Sequence, residues 1–154
     1  MMKKIDIKIV NSSFLKDESL VPKYSTSGSA GLDLRAAISK KKKIFGNRTF
    51  LIPTGISIHI KNKSLAAIIV PRSGLGHNHG IILGNSLGLI DSDYQGEIMI
   101  SLWNRSDQEY FLNPGMRIAQ IVFLKIAQVK FNIVKNFFHK STRGKKGFGH
   151  TGVK

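Results

Sequence analysis

Residues 88–103 of the chain read GLIDSDYQGEIMISLW, a loop enclosed by Gly88 and Gly96 that leads into an apolar, β-prone segment. Residues 80–84, GIILG, are also β-prone, so the two flanks predict the arms of a hairpin and residues 88–96 its connected tip. Glycine permits tight turns and the close approach of a ligand to the backbone. In such a tip Asp91 could act as a base toward a small molecule, although an ordinary surface turn would explain the same residues.

Outside this stretch, alternation of apolar and polar residues is the main pattern. Residues 5–9 and 56–61 alternate, residues 66–70 form a short apolar run, and residues 118–123 and 128–131 are β-prone. No long segment has the periodicity of a helix. Many short strands separated by Gly, Pro or Asn predict an all-β fold, a jelly roll or distorted β-barrel, with at most one short helix, near residues 73–79.

Length and composition narrow the class of protein. A chain of 154 residues suits one domain with its own core, so we expect residues 1–154 to form a single domain. The absence of cysteine excludes disulfides, thiolate metal sites and thiol catalysis. His77 and His79 lack a further ligand nearby in sequence, and we interpret them as loop histidines rather than metal ligands. No apolar run reaches the roughly 18 residues of a membrane span, which predicts a cytoplasmic protein without a membrane partner.

The strong positive charge predicts partners that carry phosphate. Lys and Arg number 24 against 9 Asp and Glu, a net charge of +15, and such a field attracts nucleotides and nucleic acids alike. Residues 40–43 are four lysines without interleaved aromatic residues, whereas a stacking platform for single strands needs such residues. We interpret this run as a solvated turn rather than a nucleic-acid patch.

The C-terminal segment differs from the rest of the chain. Residues 142–152, TRGKKGFGHTG, contain four glycines and a single large apolar residue, so this segment cannot form a packed structure alone. We expect residues 142–154 to be a flexible arm. Phe148 could stack on a base and Arg143 could hold a phosphate once a ligand orders the arm.

Three further groups could bind phosphate or a cation. Arg72, Ser73 and Gly74 follow a predicted strand and offer a guanidinium, a hydroxyl and an unobstructed backbone N–H. Asp33 lies among alternating apolar residues, where it either pairs with an arginine or helps to hold a cation. Gln120 places an amide on a strand. A Walker loop with its lysine is missing from the sequence, and no G-x-G-x-x-G fingerprint opens a helix after a predicted strand.

These groups occur in a definite order along nearly the whole chain, and together they resemble the five motifs of the homotrimeric dUTPase family, bacterial type. The matching segments are residues 30–34 (AGLDL), 71–76 (PRSGLG), 88–96, 117–120 (RIAQ) and 143–152 (RGKKGFGHTG). The resemblance implies a jelly roll that assembles as a homotrimer with active sites shared between subunits. It also implies hydrolysis of dUTP to dUMP and pyrophosphate, which limits uracil in DNA and supplies dUMP for thymidylate synthesis.

The same resemblance implies roles for individual residues. Asp91 would activate the water that attacks the α-phosphate in line, with Mg²⁺ on the triphosphate and Asp33 reaching the metal through water. Tyr94 would lie beneath the sugar and exclude a ribose 2′-hydroxyl, and the backbone of residues 84–99 would recognise uracil. The other substrate-binding positions would be Arg72, Ser73, Gly74 and Gln120 at the phosphates, Asn85, Leu89, Ile90 and Met99 around the base, and Arg143, Phe148, Gly149 and Thr151 in the arm.

One position departs from the family pattern. Lys146 replaces a glycine that usually precedes the Gly-Phe-Gly of the fifth motif, and a positive φ there would strain closure of the arm. Two alternatives remain open. A dCTP deaminase-like enzyme of the same fold would need a glutamate beside the pyrimidine amino group, whereas a basic β-module would bind nucleic acid, which a dUTPase does not require as a partner.

Overall fold

The computed structural model describes residues 4–11 and 21–147. These residues form ten strands and one helix: β1 (Asp6–Ile9), β2 (Leu32–Arg35), β3 (Lys42–Ile44), β4 (Arg48–His59), β5 (Leu65–Pro71), α1 (Ser73–His79), β6 (Ile81–Leu83), β7 (Gly88–Ile90), β8 (Glu97–Asn104), β9 (Tyr110–Leu112) and β10 (Arg117–Lys125). None of the helices in this part of the chain is long and apolar enough to cross a membrane. The predicted all-β fold and the short helix at residues 73–79 are confirmed.

Two four-stranded sheets make up the jelly roll. One has the order β1-β4-β8-β6 and the other the order β2-β10-β5-β7, while β3 and β9 form a separate pair. In the first sheet Ile52 of β4 lies opposite Ile100 of β8, and in the second Ile121 of β10 lies opposite Ile69 of β5. The strands that pair are therefore distant in sequence, and the long β4 and β10 lie inside their sheets.

Alternating side chains from both sheets form one hydrophobic core. In β8, Ile98, Ile100 and Leu102 are at most 1% exposed, whereas the residues between them are half-buried or exposed. Burial of each such side chain contributes roughly 1.5–3 kcal/mol. The buried polar groups have partners: Thr54 Oγ1 donates to the Ile98 carbonyl at 2.6 Å, and Asn104 Nδ2 donates to the Gln108 carbonyl at 2.7 Å. The β-prone segment after Gly96 therefore contributes to the core through every second residue.

The hairpin prediction is right for the arms and wrong for the tip. β6 and β8 pair with Leu83 opposite Leu102, as the sequence predicts. Residues 88–90, however, form β7, which pairs with β5 of the other sheet and places Ile90 opposite Ala67. The side chain of Ile90 packs against the core. The predicted tip therefore crosses to the second sheet, where Ile90 is buried against the core, instead of turning back directly into β8.

Two smaller predictions are wrong. Residues 128–131 form no strand, and Val129 and Phe131 are 73% and 89% exposed. A β-prone segment needs a neighbouring strand on which to pack, and the preference alone does not create one. Residues 42 and 43 of the lysine run belong to β3 rather than to a turn, since β3 pairs with residues 110–112 of β9.

Candidate functional site

Asp33, Arg72 and Gln120 lie together at one end of the second sheet. Asp33 of β2 is opposite Gln120 of β10, which is itself opposite Val70 of β5, and Arg72 follows β5 directly. Arg72 Nε donates a hydrogen bond to Asp33 Oδ1 at 2.9 Å. The two side chains are 27% and 17% exposed. This ion pair is therefore partly shielded from water but still open to a ligand.

Arg117 joins this group, although the sequence did not single it out. Its Nη1 donates to Asp33 Oδ2 at 3.2 Å, so each carboxylate oxygen accepts a hydrogen bond from one arginine. The available signal was its place at the start of the RIAQ segment, three residues before Gln120. We call Asp33, Arg72, Arg117 and Gln120 the arginine cluster. Two guanidinium groups share one carboxylate, so the cluster keeps a net positive charge that suits an anion.

The first turn of α1 adds backbone donors beside the arginine cluster. Arg72 precedes the helix in an extended conformation (φ −86°, ψ 129°) and makes no side-chain cap hydrogen bond. The first N–H groups of a helix have no partner within the helix, so those of Ser73 and Gly74 can serve a ligand. Apart from the neighbouring residues and the helix backbone, no described atom lies within 4 Å of the place that a Cβ on Gly74 would occupy. The described residues therefore leave Gly74 open to a ligand.

Glycine and aromatic residues shape the surroundings of the arginine cluster. A Cβ on Gly31 would lie 2.8 Å from Gln120 Oε1, so only glycine leaves room there for the Gln120 side chain. Burial raises the pKa of Tyr110, while the positive charge of nearby Arg72 acts in the opposite direction. The ring centres of Tyr110 and His79 are 5.3 Å apart.

Within residues 4–11 and 21–147, no group of three or more His, Asp or Glu residues could hold a metal ion.

Asp91 and Tyr94 lie in the loop between β7 and β8. The Tyr94 N–H donates to the Asp91 carbonyl at 3.3 Å, and Tyr94 Oη donates to the Glu97 carbonyl at 2.9 Å. A Cβ on Gly96 would collide with Tyr94 Oη, so glycine is needed for the phenol ring to lie across the loop. Asp91 is exposed and lines a cavity of about 510 Å³, with Lys61 on the same wall. The carboxylate is thus accessible within a loop that hydrogen bonds hold in shape.

The segment between β6 and β8 presents backbone and apolar side chains beside this loop. The Gly84 N–H donates to the Ser101 carbonyl at 2.8 Å, and a Cβ on Gly84 would lie 2.8 Å from Ser101 Oγ. Glycine at position 84 therefore allows this segment and strand β8 to approach closely. Leu89 is 63% exposed and Met99 37% exposed. The site residues predicted in this segment are all exposed or half-buried: Asn85, Leu89, Ile90 and Met99.

The two groups of predicted residues are far apart within one chain. Ile90, directly before Asp91, is opposite Ala67 of β5, and Arg72 lies five residues further along the chain. At roughly 3.3 Å per residue, five residues of a strand span about 17 Å. One chain therefore brings Asp33, Arg72 and Gln120 together, and separately Asp91 and Tyr94, but it does not bring the carboxylate of Asp91 to the arginine cluster.

The C-terminal arm is described as far as residue 147. Residues 126–147 contain no strand or helix, and Arg143 is exposed, with its Nε donating to the Lys146 carbonyl at 3.0 Å. Gly144 has a positive φ of 57°, whereas Lys146 does not, so lysine is unstrained in this conformation. The predicted site residues Phe148, Gly149 and Thr151 lie outside the described residues.

Comparison with known proteins gives a consistent family. The family model described as dUTPase matches residues 17–152. The deoxyuridine 5′-triphosphate nucleotidohydrolase of Buchnera aphidicola subsp. Acyrthosiphon pisum is 55% identical over 152 residues, which cover 99% of this chain and 97% of that protein. The enzyme of the same name from Cronobacter sakazakii is 53% identical over 154 residues, 100% of both chains. The solved structure of Staphylococcus bacteriophage 80alpha dUTPase with dUPNHPP has a TM-score of 0.85 at 22% identity and covers 99% of this chain and 100% of that one.

Proposed function

Since the chain belongs to the dUTPase family, we propose that it hydrolyses dUTP to dUMP and pyrophosphate. The observation that carries the chemistry is the arginine cluster: two guanidinium groups, an amide and free helix N–H groups at one end of β5. Donors fixed in this way before substrate binds can stabilise the charge that moves onto phosphate oxygens during transfer. Arg72, Ser73, Gly74 and Gln120 are assigned to the triphosphate on this ground.

Asp91 is assigned as the general base. Its carboxylate is exposed in a loop that the Tyr94 hydrogen bonds hold in shape, as a base must be fixed and open to water. It would take a proton from the water that attacks the α-phosphorus in line, and the bond from that phosphorus to the bridging oxygen of the β-phosphate would break. The products are dUMP and pyrophosphate.

Asp33 fits a magnesium ion carried by the substrate. Both of its carboxylate oxygens already accept hydrogen bonds from arginine, and Mg²⁺ in nucleotide enzymes usually keeps several waters while binding substrate phosphates. Asp33 would therefore hold the ion through water. When bound, Mg²⁺ would neutralise part of the phosphate charge and so favour attack at phosphorus.

The span of about 17 Å along the backbone from Ala67, which is opposite the residue before Asp91, to Arg72 supports active sites that are shared between subunits. A general base works at about 3 Å from its water, and an arginine binds a phosphate oxygen at a similar distance. Asp91 and Arg72 of one chain therefore cannot serve neighbouring phosphoryl groups. We assign the Asp91 of one subunit to the arginine cluster of another, within a homotrimer.

Recognition of the base is assigned to residues 84–99. Strand pairing of β6 with β8 fixes the direction of the nearby backbone N–H and C=O groups, and a fixed set of donors and acceptors can match the edge of one pyrimidine but not of the other, which we assign to uracil. Asn85, Leu89, Ile90 and Met99 would surround the ring. Tyr94, held by Glu97 and Gly96, would pack under the sugar where a 2′-hydroxyl would clash.

We propose that residues 1–154 form a single domain whose C-terminal arm, residues 142–154, is flexible. This arm would close over bound nucleotide. Phe148 would stack on uracil and Arg143 would meet the γ-phosphate, with Gly149 and Thr151 nearby. Deletion of residues 143–154 should leave the folded core intact by circular dichroism and remove most of the activity. If the truncated enzyme turned over dUTP at the full rate, the arm would have no role in closure.

A substrate panel tests the proposed function as a whole. Pyrophosphate release is measured from dUTP, dTTP, dCTP and UTP at equal concentration, with Mg²⁺ and with excess EDTA, and ammonia release is measured from dCTP in parallel. We expect release from dUTP alone and a strong dependence on Mg²⁺. Ammonia from dCTP without pyrophosphate from dUTP would indicate a deaminase instead. An activity on free nucleotides also agrees with the cytoplasmic location that the sequence predicts.

A further inference from the structure

A surface on the β3–β9 pair combines lysine with exposed aromatic rings. Lys41 Nζ lies 4.2 Å from the centre of the Phe111 ring, and Lys43 Nζ lies 5.5 Å from that of Phe45. Phe45 and Phe111 are 50% and 45% exposed. We call this surface, formed by residues 40–43 with Phe45, Phe50 and Phe111, the lysine–phenylalanine face. It is built by strands that none of the assigned substrate-binding residues occupies.

The tertiary structure supplies what the lysine run lacks in sequence. Phe111 is brought to the lysines because Lys43 is opposite Phe111 in the β3–β9 pair. Phe50 of β4 lies on the other side, with Lys42 Nζ at 5.5 Å from its ring centre and the Phe45 ring centre at 6.4 Å. Aromatic rings are thus interleaved with the lysines in space, although not along the chain.

The charge of this face is largely unneutralised. Among the described residues, Lys43 is the one lysine of the run with an acidic partner, Glu109, at 2.9 Å. The neighbouring Asp107 accepts a hydrogen bond from Asn47 at 2.8 Å. A cavity of about 480 Å³ is lined by residues 37–43 and Pro53. A polyanion in this cavity would meet several ammonium groups that have no acidic partner among the described residues.

We propose that the lysine–phenylalanine face binds single-stranded nucleic acid, with phosphates on Lys40, Lys41 and Lys42 and unpaired bases on the rings of Phe45 and Phe111. Single strands are bound by basic grooves with stacking platforms, because every base offers a π-face once it is unpaired. Exposed cation–π contacts are weak. An incoming base can therefore replace the ammonium group on a ring, and the freed ammonium group can meet a nearby phosphate.

Duplexes and lipid surfaces fit this face less well. Bases in a duplex are stacked on each other and cannot reach Phe111, so a duplex would use only the lysines. An anionic membrane would likewise use the lysines but has no planar group for the rings. The paired presence of free lysines and half-exposed phenylalanines therefore favours single strands.

The test is fluorescence anisotropy with a labelled oligothymidylate of roughly 20 nucleotides, long enough for the usual site sizes. The variant Lys40→Ala/Lys41→Ala/Lys42→Ala removes three positive charges from the face. Binding should weaken at least tenfold, and the slope of log affinity against log salt should fall by about 2, at roughly 0.7 per phosphate contact. Phe111→Ala should weaken binding by about tenfold while leaving that slope unchanged.

Matched controls separate a local site from general charge. Lys130→Ala/Lys135→Ala/Lys140→Ala removes the same charge from exposed positions elsewhere and should change the affinity by less than about twofold. Phe131→Ala removes an equally large ring that is 89% exposed and should have no effect. The Lys40–Lys42 variant should still hydrolyse dUTP at the normal rate, which separates failure of this proposal from failure of the proposed function.

Several results would overturn the proposal. Absence of binding at low salt would do so directly, and equal losses for the two triple-lysine variants would reduce the effect to net charge. Equal affinity for a duplex of the same length, together with an inert Phe111→Ala, would exclude stacking. Binding to vesicles with anionic lipid through the same lysines, without binding to the oligothymidylate, would assign the face to membranes.

Discussion

Mixing two inactive variants should restore activity if the active site is shared between subunits. Asp91→Asn removes the proposed base, and Arg72→Ala removes a proposed phosphate-binding group, about 17 Å along β5 from Ala67, the residue opposite Ile90. Within one chain these residues cannot act on the same phosphoryl group. A mixed trimer, however, contains interfaces at which an intact Asp91 of one subunit meets an intact Arg72 of another.

The recovered activity can be calculated without adjustable parameters. In an equal mixture that assembles at random, a shared site is intact only when the subunit that supplies Asp91 carries Arg72→Ala and the subunit that supplies Arg72 carries Asp91→Asn. Each condition has a probability of about one half, so about one quarter of the sites are intact. A site made by one chain would never be intact, because every chain carries one mutation.

A double variant provides the matched control. Mixing Asp91→Asn/Arg72→Ala with wild-type chains again leaves about one quarter of shared sites intact, whereas sites within one chain would be intact in about one half of cases. A shared site therefore predicts one quarter of the full activity in both mixtures. A site within one chain predicts no activity in the first mixture and one half in the control. A pyrophosphate assay readily resolves these differences.

The assay uses chains that are unfolded together in equal amounts and refolded, with native mass spectrometry to establish that the trimers of the whole mixture have the random composition. Pyrophosphate release from saturating dUTP by this whole mixture then gives the active fraction. Background activity from the randomly assembled mixture, with half activity in the control mixture, would refute the shared site. Because Arg72 is paired with Asp33, the experiment is repeated with Gln120→Ala, which leaves that ion pair intact.

Three further predictions concern single positions. Asp91→Asn should lower kcat by about 10²–10⁴ while dUMP still binds, as loss of a general base does, and near-normal turnover in a stopped-flow assay would remove Asp91 from the mechanism. Gly96→Ala should displace the Tyr94 hydroxyl from its hydrogen bond and reduce the preference for dUTP over UTP in kcat/KM by about tenfold; an unchanged ratio would show that Tyr94 does not select the sugar. Leu102→Ala, at a fully buried position, should lower the free energy of unfolding in urea by about 2–5 kcal/mol. The control Leu51→Ala, at 62% exposure, should lower it by less than about 0.5 kcal/mol. Equal losses would contradict the assignment of the core.

Local pattern was sufficient for much of the fold. The alternation of residues 56–61 predicted a strand that the structure forms at the end of β4, and a short helix after a strand was correctly predicted at Ser73–His79. These features depend on neighbours within a few residues, for which period and turn chemistry are reliable guides. The order of the five motifs pointed to the family for the same reason, since each motif is local.

Pairings between distant residues could not be read in this way. Nothing near Asp33 in sequence shows that Arg72 and Arg117 would both bind it, and nothing near Lys43 shows that Phe111 would lie opposite. The prediction of a strand at residues 128–131 failed for a related reason, because these residues pair with no strand in the part of the chain that the structure describes.

The sequence by itself determined which residues are candidates for chemistry and where most of the strands lie, because residue type and period are properties of the chain. Only the tertiary structure decided where those residues meet. By pairing β7 with β5 it put Asp91 beside the beginning of β5 while Arg72 follows the end of that strand, and by pairing β3 with β9 it set aromatic rings among lysines. Such juxtapositions depend on which strands become neighbours, and that choice is made by burial of the whole core rather than by any one segment.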